Sequence, residues 1–219
     1  MRRPMKRLTA VAAALVIAAG GCDQPLSSAE QVTRLTAEGW GQFRVGNYAG
    51  AEDCFRRAAA VNFSDPEVQL GLGWALLEER MLGDAIIALA RIGPRDPLYP
   101  HAQAGLAIAA DASGRFDDVI PAAEAVLTAD STYTFPYDSS IDWRDLTFLL
   151  TKSYLVLSPR RDPTLTQTTD VLRRIDLDPP LVPGNPATWT ANGLQWSTLA
   201  EAALKRLEAT QAAISSAVP

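Results

Sequence analysis

The chain has 219 residues, 47% of them hydrophobic and 21% charged, with a formal net charge of −5. That balance belongs to a folded globular chain, and its acidic sign excludes a nucleic-acid binder, whose target phosphates need clustered Lys and Arg. One His and two Cys are too few for a structural zinc site or a disulfide scaffold, and a His-based triad would have to run through His101 alone.

In chain order, Arg2, Arg3, Lys6 and Arg7 make a basic start, and Leu8 to Ala19 is free of charge. A run of about 12 residues is too short to span a bilayer, which needs ~20, but it fits the apolar region of a secretory signal. Ala19-Gly20-Gly21-Cys22 then resembles the lipobox of bacterial lipoproteins, with Ala19 where that pattern prefers Leu. The resemblance implies that 1–21 is a signal peptide removed on export and that Cys22 is acylated as the first mature residue. Ordinary signal cleavage would instead leave Cys22 a thiol able to pair with Cys54 in an oxidising compartment. Residues 22–28 read as a lipid-proximal tether holding the domain within about 22 Å of the membrane. The expected location is the bacterial cell envelope, lipid-anchored and facing the periplasm or the exterior, where ATP and NADH are poor prospects; no cofactor is expected. Residues 1–21 carry four of the 20 basic residues and none of the 25 acidic ones, so the remainder has a net charge of −9. Attachment would then rest on the lipid and not on a basic patch.

Past the tether the sequence repeats. Gly39-Trp40 recurs 34 residues on as Gly73-Trp74, and Ala51, Phe55 and Tyr48 recur as Ala85, Leu89 and Leu82, then as Val119, Ala123 and Phe116. Leu35, Gly39 and Phe43 lie at helical spacing, Gly46-Asn47 interrupts, and Ala51, Phe55, Ala58 and Val61 form a second amphipathic stretch. Small residues at Gly39, Gly73 and Ala107 permit close helix approach. Asp65-Pro66 and Asp96-Pro97 each read as an N-cap followed by Pro at the first helical position. This period and pattern resemble the tetratricopeptide repeat (TPR) family, with repeats at 32–65, 66–99 and 100–133. Arg80 replaces the turn Gly in the second repeat. Gln42, Leu76 and Ala110 stand where the family has an aromatic, and Phe43 and Leu77 one residue later take that packing role.

Region 29–133 therefore reads as TPR-like repeats. Region 134–179 reads as an aromatic insertion followed by a degenerate fourth repeat: Leu146, Leu149, Leu150 and Tyr154 on one helix, Val171, Leu172 and Ile175 on another, with an enlarged turn near 158–163. Region 180–219 opens with Pro180, Pro183 and Pro186, an extended connector. It ends in a helix whose stripe of Trp196, Leu199, Ala203, Leu207 and Ile214 suits the cap of a solenoid. The expected fold is an all-α, TPR-like helix-turn-helix solenoid.

The resemblance implies a concave face, lined by the first helix of each repeat, that binds peptides or protein segments. The residues it places there are Thr36, Trp40, Phe43 and Arg44, then Leu70, Trp74, Leu77 and Glu78, then Ala104, Ile108, Asp111 and Ala112. Trp40 and Trp74 either face that groove as binding hot spots or pack as core. Tyr133, Phe135, Tyr137 and Trp143 form an aromatic insertion that is either a lid on the solenoid or a contact surface. Catalysis finds little support. His101 lacks a nucleophile motif such as G-x-S-x-G, and Asp117-Asp118 suits a solvated helix start. Cys54 reads as a small buried residue. The expected function is a non-catalytic, membrane-tethered interaction module whose partner is an envelope protein or peptide segment. A receptor for glycan or peptidoglycan fragments and an envelope hydrolase are the alternatives.

Overall fold

The computed structural model describes residues 26–161, 165–175 and 178–216. The basic start, the apolar run and Cys22 lie outside them, as do 162 and 163 of the turn expected at 158–163, whose first residues instead continue a helix. No described helix is long and apolar enough to cross a membrane.

Helix α1 (Ser28–Arg44) begins with a capping box: the Ser27 hydroxyl accepts from the Glu30 N–H while the Glu30 carboxylate accepts from the Ser27 N–H. Gly46 takes φ 75° and Asn47 caps α2 (Tyr48–Val61). Asp65 accepts from the N–H groups of Glu67 and Val68, so α3 (Pro66–Glu78) opens as its Asp-Pro pair predicts. Helix α4 (Leu82–Leu89) is short. The second Asp-Pro pair does not open a helix. Asp96 Oδ1 accepts from the Leu98 N–H at 2.8 Å in a turn, and α5 (Tyr99–Ala112) starts two residues after Pro97. The reason is Pro100, which lacks an N–H and is tolerated only in a first turn, fixing the start beside it. Helix α6 (Phe116–Ala129) completes the third pair.

Small residues set the spacing. A Cβ on Gly39 would meet the Phe55 ring at 2.8 Å, and one on Gly73 would meet Leu89 Cγ at 2.5 Å. Phe55 and Leu89 hold equivalent places in their repeats, so the period read in sequence is a period of contacts. The odd helices also touch in series, α1 with α3 and α3 with α5, whereas no two of α2, α4 and α6 make comparable contact. Odd helices therefore line the inner face of the curve.

Helix α7 (Trp143–Arg161) continues the stack on α5 and α6, and α8 (Thr166–Leu172) packs on α7. Helix α9 (Leu199–Ser216) covers α7 and α8, closing a second core that includes Leu172, Leu181, Leu199, Ala203 and Leu207. Trp196 and Ile214 of the expected stripe are half-buried. The connector holds more structure than its prolines suggest. Pro186–Thr188 forms a 3₁₀ turn, and β1 (Thr190–Ala191) pairs antiparallel with β2 (Leu194–Gln195) around Asn192-Gly193. Both turn residues have positive φ, 52° and 73°, the hairpin signature of an Asn-Gly pair. The fold is an all-α, TPR-like solenoid with this one two-stranded ribbon among the described residues.

Candidate binding face

Between α6 and α7 the chain leaves the helical stack and returns. Asp130 Oδ1 accepts from the Thr132 N–H, and at the far end Asp138 Oδ1 accepts from the Ser140 N–H, both at 2.9 Å. These Asp-Ser turns bend a loop whose arms are joined by Phe135 N–H to Ile141 O (2.9 Å) and Trp143 N–H to Tyr133 O (2.8 Å). Asp142 then accepts from the Arg144 N–H and starts α7.

This hairpin lies across the inner face. Tyr133 reaches α5, where its hydroxyl is 3.1 Å from His101 Nδ1. Phe135 stacks on Trp74 of α3 with ring centroids 4.0 Å apart and planes 20° apart. Tyr137 stacks on Trp40 of α1 at 3.5 Å and 4°. Its phenol donates to Glu67 Oε1 at 3.3 Å, and Arg44 lies over its ring at 5.2 Å. Phe43 meets Phe135 edge-on at 6.4 Å.

The two alternatives for the tryptophans merge. Trp40 and Trp74 line the inner face, yet they are 2% and 0% exposed because the hairpin covers them. Phe43, Leu70 and Leu77 are buried in the same cluster. The inner face is thus filled, and of the two alternatives for the insertion the structure has the one packed on the solenoid. Trp143 stands apart, half-buried at the start of α7 with Arg144 over its ring. Arg44 is exposed. Glu78, Ile108 and Asp111 come together beside the hairpin tip, where with Ser140, Asp145 and Lys152 they line a cleft of about 410 Å³. Lys152 Nζ pairs there with Asp111 at 2.8 Å.

Burial governs the titrating groups. It pushes the Glu78 and Asp145 carboxyls up, with the negative charges of Asp138 and Asp142 adding to the effect and Arg80 and Arg144 opposing it. Burial likewise raises the Tyr133 phenol and lowers the His101 imidazole. His101 has the Tyr133 phenol, buried and raised in pKa, as its side-chain partner. It pins Tyr133 through Nδ1, and its carbonyl accepts from Trp74 Nε1 at 3.2 Å. Asp117 and Asp118 are exposed in the first turn of α6, and Cys54 is buried with its thiol pushed up by desolvation. Among the described residues no group of three or more His, Cys, Asp or Glu is placed to hold a metal.

The roles of His101 and Glu67 in seating the hairpin were not legible in advance, since each depends on a contact more than thirty residues away. A usable signal did exist: aromatics at 133, 135 and 137 alternate, as one face of an extended segment does.

No protein-family model matches the chain, and no curated protein does. Among solved structures it is similar to the crystal structure of a thermophilic TPR protein from Thermus thermophilus, with a TM-score of 0.51 and 17% identity, covering 86% of this chain and 92% of that one. At that identity the likeness bears on the fold, and the fold it bears on is the TPR-type helical solenoid.

Proposed function

We propose that the protein is a non-catalytic interaction scaffold of the bacterial envelope, tethered to a membrane by an acylated Cys22 and binding a protein partner on the inner face of its solenoid. The observation that carries this reading is the hairpin. An extended aromatic segment runs from α5 over α3 to α1, seated on Trp74 and Trp40, so the face has the shape and chemistry to hold a polypeptide. The lipobox-like Ala19-Gly20-Gly21-Cys22 supports the tether, and the mature net charge of −9 leaves the lipid as its physical basis.

Crosslinking pull-down from the native envelope, with wild type and Cys22→Ser, tests the scaffold. Wild type should retain a discrete protein crosslinked to α1, α3 or α5, and the Ser variant should lose most of it. Recovery of nothing above the control refutes the scaffold. Mass spectrometry of the mature N-terminus tests the tether separately, and an unmodified Cys22 refutes it.

A further inference from the structure

The hairpin has the layout of a bound peptide. Along 133–137 burial alternates: Tyr133 and Phe135 are buried and Tyr137 half-buried, while Thr134 and Pro136 are exposed. Its backbone hydrogen bonds stay within the excursion, from Tyr133 N–H to Asp130, Phe135 N–H to Ile141, Ile141 N–H to Asp138 and Trp143 N–H to Tyr133. Among the described residues no backbone bond joins it to α1, α3 or α5. Two ring stacks and two phenol hydrogen bonds seat it, all of them side-chain contacts that another segment could reproduce.

Two features make the seat one that can be vacated. Helices α6 and α7 pack directly on each other, so lifting the hairpin does not require the stack to come apart. The fit is also incomplete, because Trp40 Nε1 is buried with no acceptor among the described residues. An unsatisfied buried donor is costly, so the closed state carries a penalty that the hairpin does not relieve.

We propose that 133–137 is a built-in ligand that keeps the inner face closed. Resting on the scaffold reading above, the partner is then a protein presenting an extended aromatic-x-aromatic-Pro-aromatic segment, which displaces the hairpin. The hairpin competes at the effective concentration of a short tether, of order millimolar, so the closed state suppresses weak ligands and yields only to a segment that fits better.

The probe is a labelled synthetic peptide spanning residues 131–140, added to the full-length protein and followed by fluorescence anisotropy. Phe135→Ala with Tyr137→Ala removes the internal competitor, and this variant should bind the probe roughly 10²-fold more tightly than wild type. A probe carrying the same two Ala replacements should not bind. Equal binding of the probe by variant and wild type overturns the proposal. Should the double variant lose its helical circular dichroism, hydrogen exchange on wild type decides. Excess probe should speed exchange of the Phe135 and Trp143 amides and leave α3 and α5 unchanged. Exchange of those two amides only at the rate of α3 and α5, with or without probe, makes the hairpin fixed core and refutes the latch. An envelope partner whose crosslinks avoid α1, α3 and α5 also refutes the latch while leaving a scaffold in place. An empty pull-down refutes the scaffold whatever the peptide does.

Discussion

Arg80 holds a left-handed backbone, φ 64°, at the corner where the neighbouring repeats place Gly46 and Gly114 at 75° and 69°. A side chain there costs about 1–2 kcal/mol, part of which Gly returns as unfolded-chain entropy. Arg80→Gly should therefore stabilise by about 0.5–1 kcal/mol and raise Tm by roughly 1–4 °C in a thermal melt. Gly71 poses the opposite case. A Cβ there would fall 2.2 Å from Phe55 Cε1, on a ring that is 0% exposed and cannot retreat. Gly71→Ala should destabilise by about 1–3 kcal/mol, and Phe55→Leu should recover part of that loss in a double-mutant cycle. The turn position of Arg80 was legible from the 34-residue register. The crowding at Gly71 was not, because the ring that fills it comes from the preceding repeat.

Among the elements, the three regular helical pairs follow from local signals: caps at Ser27 and Asp65, turn residues at Gly46 and Gly114, and apolar spacing between them. The C-terminal unit adds a buried cation to its apolar core. Arg206 of α9 is 2% exposed and donates to the carbonyls of Thr190 and Pro179 and to the Thr190 hydroxyl, binding ribbon and connector to the terminal helix. Arg206→Met keeps the apolar stem but leaves those acceptors buried. It should loosen this unit by about 1–3 kcal/mol, seen as faster hydrogen exchange in 180–198 and α9 while α1 to α6 keep their protection. Sequence periodicity placed Leu199, Ala203 and Leu207 on the buried face of α9, but Trp196, expected on the same stripe, precedes the helix. Periodicity could not assign Arg206, since a helix position says nothing of carbonyls delivered by a loop 16 and 27 residues earlier.

For the whole molecule, the buried His101 that holds Tyr133 of the hairpin should give stability an acid-sensitive component. Burial lowers the His101 pKa below the ordinary 6.5, so as pH falls through that value the unfolded chain takes up the proton first and stability is lost until the folded pKa is passed. Glu78 and Asp145 act in the reverse sense. Their raised values mean that the folded state holds its protons longer, so they favour folding as pH falls through those raised values toward 4.5 and 3.8. Between about pH 7.5 and about pH 5.5 the His101 effect should dominate. Wild-type Tm should drop, and His101→Gln, which can still accept from Tyr133, should flatten the profile; an equally steep profile in the variant would place the acid sensitivity elsewhere. The sequence alone determined the repeat, its register, the helix-turn-helix units and the acidic, His- and Cys-poor character of the chain, because each is written in local spacing or in composition. Only the tertiary structure decided what occupies the inner face. Whether Trp40 and Trp74 are groove or core depends on where an excursion 59 to 97 residues further on comes to rest, and curvature of the stack, not any local signal, carries Phe135 and Tyr137 onto them.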